Sequence, residues 1–152
     1  MMIRHKNRHL TFIYIVLGLI LLHVGCKKEE DEVAPPTYVN ITINPNSTEY
    51  QELNTVGGWT YLPATTPSRG IIVYRLSQDN FMAYDRLPPY EPDQCCNDGV
   101  CTYLIVDMPF VEDTCTSSIY QILDGAPFSG PSSTPLIRYT TYYDGISLQI
   151  IS

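Results

Sequence analysis

Histidine is absent from most of this sequence. The chain has three, His5, His9 and His23, and all precede Cys26. Beyond that point a Ser-His-Asp or Cys-His nucleophile pair, a His-ligated metal and an imidazole pH switch are excluded. Cations are scarce as well. All sixteen acidic residues follow Cys26 against six Lys and Arg, so residues 26–152 carry a charge of −10. Such a surface repels phosphate backbones and excludes nucleic-acid binding through a basic patch. No stretch after Cys26 shows an apolar stripe at helical spacing, and twelve Pro in 152 residues argue against a helical bundle. The length excludes a large two-domain enzyme. Twelve Tyr beside many Ile, Val and Leu exclude a disordered chain.

One long apolar run is present, Leu10 to Leu22, thirteen residues and almost wholly apolar. As a helix it spans about 20 Å, short of the roughly 30 Å hydrocarbon core of a bilayer. Arg4, His5, Lys6, Arg8 and His9 precede it, and His23-Val24-Gly25-Cys26 follow. That order is the order of an export signal. The Val24-Gly25-Cys26 step resembles the bacterial lipoprotein cleavage box, in which the cysteine is acylated; His23 stands where that pattern prefers Leu. The charged run Lys27 to Glu32 and Val33-Ala34-Pro35-Pro36 then read as a hydrated tether with a stiff end. The run resembles tethers of Bacteroidota-type lipoproteins. This implies a signal peptide over 1–25, a tether over 26–37 and a protein held in the outer membrane through lipidated Cys26. Several acyl chains on one cysteine anchor firmly, where one binds only marginally.

From Tyr38 the period becomes two. Val39, Ile41 and Ile43 alternate with polar residues, and so do Ile146, Leu148 and Ile150. Short β-branched and aromatic runs lie between them: Ile71 to Leu76, Phe81 to Tyr84, Tyr103 to Val106, Ile119 to Leu123 and Leu136 to Tyr143. Asp144-Gly145 signals a tight hairpin and Asp124-Gly125 a second turn. The expectation for 38–152 is an all-β domain, a small antiparallel sandwich or barrel. Its eleven Tyr and Trp59 suit either a sugar-stacking platform or, more commonly, a half-buried sheet face over a thin core.

The run from Gly125 to Tyr139, with Gly130-Pro131-Ser132 inside it, resembles the segment after the second cluster loop of Rieske [2Fe–2S] domains. Val56 to Tyr61 resembles the early Gly-Gly strand of that family. Gly70 to Arg75 and Phe81 to Arg86 resemble the strands leading into its first cluster loop. The resemblance covers most of 38–152 and implies a Rieske-like fold. A Rieske cluster takes Cys-x-His from one loop and Cys-x-x-His from the other. By the resemblance those positions fall on Pro88 and Tyr90, then on Cys115 and Ser118. Three of the four ligands are therefore missing. The expectation is a retained fold with no cofactor.

The domain cysteines are Cys95, Cys96, Cys101 and Cys115, an even number in an exported chain, which reads as disulfides. Three pairings are open. The adjacent pair Cys95–Cys96 is the least favoured, because the peptide between the two residues would have to distort. The favoured set is Cys96–Cys101 with Cys95–Cys115. Respiratory-type Rieske domains also join their two cluster loops by a disulfide, so the second bridge is what the resemblance implies. The sharper alternative is an electron carrier, a 2Fe-2S cluster or other metal held by these four thiolates. Their spacing lacks the usual Cys-x-x-Cys knuckles. No such motif at a helix start suggests a redox-active pair either. Glu91, Asp93, Asp107, Glu112 and Asp113 are the remaining candidates for acid–base chemistry and read as solvated loop charges. The functional expectation is a non-enzymatic binding or structural envelope protein with an unidentified protein partner. Its contact surface is the loops 87–100 and 109–118, where Tyr90 and Phe110 are either exposed contacts or, equally, packing of a former cluster pocket.

Overall fold

The computed structural model describes residues 38–63, 70–97 and 100–152; the segments expected as leader and tether, with Cys26, lie outside them. Among the described residues twelve strands form, all paired antiparallel, beside one kinked 3-10 segment, Thr48–Asn54. The strands are β1 (Asn40–Ile43), β2 (Trp59–Leu62), β3 (Ile71–Arg75), β4 (Phe81–Asp85), β5 (Cys96–Asn97) and β6 (Val100–Cys101). They continue with β7 (Ile105–Asp107), β8 (Phe110–Asp113), β9 (Ser118–Gln121), β10 (Pro127–Ser129), β11 (Arg138–Tyr143) and β12 (Leu148–Ile151). Six of them make one sheet in the order β1-β12-β11-β4-β3-β2; four make a second, β10-β9-β8-β7; β5 and β6 pair alone. The all-β expectation holds.

The central strands explain the arrangement. Every residue of Ile71-Ile72-Val73-Tyr74-Arg75 and of Phe81-Met82-Ala83-Tyr84-Asp85 is buried. Alternate side chains of a strand face opposite ways, so both faces of β3 and β4 must be covered. Ile71, Val73, Phe81 and Ala83 join Val39, Ile43, Leu53, Leu62, Tyr139, Leu148 and Ile150 in one core. That core draws on strands from both ends of the six-stranded sheet, so the sheet curls over its own face. Ile72, Tyr74, Met82 and Tyr84 join Leu104, Val111, Tyr120, Ile122 and Leu136 in the other. The four-stranded sheet supplies this cover with its inner side.

Arg75 is buried, and among the described residues no carboxylate pairs with it. It donates to the carbonyl of Leu53 (2.8 Å), to Asn46 Oδ1 (2.9 Å) and to the carbonyl of Gln78. Its guanidinium also lies over the Phe81 ring at 5.0 Å. Carbonyl dipoles and ring quadrupole replace water around the cation. The 3-10 segment is thereby tied to the sheet.

Several details depart from the sequence reading. The hairpin at Asp144-Gly145 forms, but Tyr143 pairs with Leu148, leaving a four-residue loop where a tight two-residue turn was expected. Asp144 Oδ1 accepts from the Ile146 and Ser147 backbone amides and Gly145 takes φ +96°, which stabilises the longer loop. The strand expected at Tyr103 begins at Ile105, and β8 and β10 had no sequence signal of their own.

Candidate functional site

The two loops singled out by the sequence follow β4 and join β8 to β9. The first is turned by Asp85. Its buried carboxylate accepts from the Leu87 amide (2.9 Å) and from the Tyr139 hydroxyl (2.6 Å). Leu87, Pro88 and Pro89 are buried and Tyr90 is half-buried. Pro88 is thus a packing residue. A tight turn follows, with Gln94 donating to the Glu91 carbonyl (3.0 Å) and Glu91 at φ +46°. The short β5–β6 hairpin closes on itself, since Cys96 and Cys101 are cross-strand partners joined by a disulfide.

The second loop is organised by Asp113, a strand residue with 1% exposure. Its carboxylate accepts from the Cys115 amide at 2.9 Å and from the Thr116 hydroxyl at 2.5 Å. Its carbonyl accepts from the Ser117 amide at 2.9 Å. Side-chain capping of this kind completes a turn that backbone groups alone would leave unpaired. Thr116 Oγ1 lies 2.9 Å from Ser118 Oγ, which in turn accepts from the Ser132 amide (3.3 Å). Ser118 is fully buried and belongs to this network.

A second disulfide, Cys95–Cys115, joins the two loops with Cα atoms 5.6 Å apart. The third participant is the Gly130-Pro131-Ser132 segment. Gly130 has φ +97°, and a Cβ there would stand 2.5 Å from the Ser117 carbonyl oxygen and 2.6 Å from Ser118 Cα. Only glycine lets that backbone lie directly on the second loop. The second loop is therefore held by the bridge at Cys115 and by the glycine contact at Ser117 and Ser118.

The Sγ atoms of Cys95 and Cys115 and a carboxylate oxygen of Asp113 lie within 4.8 Å of one another, the one such group of possible metal ligands among the described residues. With the bridge formed the sulfurs are spent on each other, and Asp113 is committed to its own turn. Cys96 and Cys101 are likewise paired. A ligand set needs deprotonated thiols, and the bridged loops offer none. A shallow depression of about 320 Å³ lies beside the second loop, lined by Glu112, Asp113, Thr114, Ser117, Ser118 and Ile119.

The remaining candidates are dispersed. Asp93 and Asp107 are exposed, and Glu91 and Glu112 are partly so. Phe110, expected either as an exposed contact or as packing, is half-buried against Phe128, with ring centroids 4.6 Å apart; Phe128 is the exposed member at 59%. Tyr90, with the same two expectations, is half-buried. Sequence reasoning missed Tyr84 and Tyr120 beneath the small sheet. Burial raises the pKa of both above the ordinary tyrosine value. Tyr84 donates to the Ile122 carbonyl at 3.1 Å. The Tyr120 hydroxyl is buried without a hydrogen bond of proper geometry; the nearby Ser132 and Ser118 hydroxyls offset part of its burial effect.

No family model, curated protein or solved structure matches this chain.

Proposed function

We propose that this is a lipid-anchored envelope protein whose β domain has a Rieske-like ancestry, has lost its cluster, and serves as a non-enzymatic binding or structural module. In this reading Cys26 carries the lipid and places the domain at the outer membrane. The disulfide-joined loops form its contact surface, because loops fixed on a rigid sheet present side chains at little conformational cost. The supporting observation is the Cys95–Cys115 bridge. It joins the two loops at which the sequence resemblance places cluster ligands. It also leaves the cysteine-held 2Fe-2S reading without a free thiolate in the domain. Pro88, buried in packing, and Ser118, held by hydroxyl and amide contacts, are scaffold residues in this account. The packing of Gly130 on the second loop fits the same ancestry, as does the run of strands leading to the first.

The test is metal and sulfide analysis of the full-length protein extracted from membranes without added iron. The reading expects a colourless protein with no stoichiometric iron or acid-labile sulfide. Iron and sulfide in equal stoichiometric amounts, with a visible charge-transfer spectrum, would overturn it.

A further inference from the structure

A second site lies along the edge strand β2. A cleft of about 570 Å³ is lined by Gly57, Gly58, Trp59, Thr60 and Tyr61, with Glu52 from the 3-10 segment and Met108 from the β7–β8 turn completing it. That volume falls within the range of small-ligand sites. None of the four domain cysteines lines it, and its argument does not depend on the Rieske-like reading.

The cleft is built by glycine. Gly58 donates to the Thr55 carbonyl at 3.0 Å, and a Cβ on it would stand 1.8 Å from the Glu52 carbonyl oxygen. The 3-10 segment therefore lies against the start of β2, and Glu52 is brought beside Trp59. Trp59 and Tyr61 project from the same face of β2 and meet edge to face, with centroids 4.9 Å apart at 66°. Tyr61 is fixed, because its hydroxyl accepts from the Val106 amide at 2.8 Å. The Arg86 guanidinium already sits over the Tyr61 ring at 3.8 Å, so this aromatic pair accepts a cation on at least one ring face.

The chemistry of the lining selects a ligand class. Among the described residues Glu52 is the only charged one in the lining, and the domain around it is strongly acidic, so anions are repelled and cations concentrated. Beyond Glu52 the polar side-chain groups are the Trp59 indole N–H, the Thr60 hydroxyl and the already engaged Tyr61 hydroxyl, few for the many directional hydroxyls of a sugar. Trp59, Tyr61 and Met108 offer apolar and π surface. We propose that this cleft binds an organic cation, an ammonium or guanidinium group carried on an apolar stem, with its charge at Glu52 and over the Trp59 ring. A free small molecule and a Lys or Arg side chain of a polypeptide share that chemistry.

Trp59 is the chain's single tryptophan, so its emission reports on the cleft alone. The full-length protein in a non-ionic polyoxyethylene detergent is titrated with choline chloride and, separately, with a short extended peptide carrying one lysine, both against sodium chloride at equal ionic strength. Controls are the neutral choline analogue with a tert-butyl group for the trimethylammonium, and methyl glucoside. A saturable emission change with either cation is expected, roughly tenfold weaker for the neutral analogue. Glu52→Gln, an exposed position that leaves the reporter in place, should weaken cation binding by roughly three- to tenfold. Tighter binding of choline assigns a small molecule, and tighter binding of the peptide assigns a polypeptide; both support the proposal. No saturation by either cation, an equal response to the neutral analogue, or saturation by the glucoside with no effect of Glu52→Gln would overturn it.

Discussion

Replacing Cys95 and Cys115 together by alanine should cost about 3 kcal/mol of stability, more than the same change at Cys96 and Cys101. The two bridges differ in the chain they close, with sequence separations of 20 and 5 residues. Cross-linking removes entropy from the unfolded ensemble in proportion to the logarithm of that length, which gives about 3 kcal/mol for the longer loop and about 2 kcal/mol for the shorter. Packing adds to the cost at Cys95. Cys95 is 4% exposed, so truncating it also forfeits contacts in the loop; its partner Cys115 is exposed, and Cys96 and Cys101 are both partly buried. Urea unfolding of the oxidised parent and the two double variants measures the difference. The expected order of stability is parent, then the Cys96/Cys101 variant, then the Cys95/Cys115 variant, with about 1 kcal/mol between the last two. In thermal unfolding the larger loss corresponds to roughly 10 °C. The reasoning is refuted if the Cys95/Cys115 variant matches the parent, or if the shorter bridge proves the costlier to lose.

Gly130→Ala should cost about 2–4 kcal/mol, from a left-handed backbone now carrying a Cβ and from its collision with the second loop, read as a lowered denaturation midpoint. Tyr84 and Tyr120 hold their protons more tightly folded than unfolded. Their contribution is fully present below the unfolded tyrosine pKa of about 10 and is lost as pH rises above it. Unfolding should therefore grow easier on the alkaline side, and phenolate absorbance in native protein near pH 11 should fall short of the urea-unfolded value. Under the proposed lipidation, Cys26→Ala should move the protein from the membrane fraction to the soluble one, read by fractionation and blotting.

Much of the fold was legible because its central strands break the usual alternation in a recognisable way. The runs at Ile71 and Phe81 are continuous and apolar since both faces are covered, and their short lengths between turn residues separate them from helices. β12, paired between β1 and β11, keeps the simple period, with Leu148 and Ile150 buried and Gln149 and Ile151 less so. β8 was hidden for a physical reason. Phe-Val-Glu-Asp places a carboxylate, Asp113, on the buried face, where hydrogen bonds to its own turn and not apolarity justify its burial. The 3-10 segment follows no apolar period because only Leu53 of it is buried. At the loops, the adjacency of Cys95 and Cys96 disfavoured one pairing, and the resemblance to disulfide-joined cluster loops implied the Cys95–Cys115 bridge. The choice between exposure and packing at Phe110 was not legible because its cover, Phe128, comes from a strand with no sequence signature. The β2 cleft was not legible either, since Glu52 and Met108 meet Trp59 only through the close approach at Gly58 and the packing of the small sheet.

The most direct measurement is intact mass of the mature protein, alkylated before any reduction, followed by peptide mapping of the linked pairs. Two bridges predict no alkylation at Cys95, Cys96, Cys101 or Cys115, a polypeptide four hydrogens lighter than its reduced form, and cross-linked peptides joining Cys95 to Cys115 and Cys96 to Cys101. Alkylation at all four positions in freshly extracted protein would contradict the account, because the loops would then hold free thiolates.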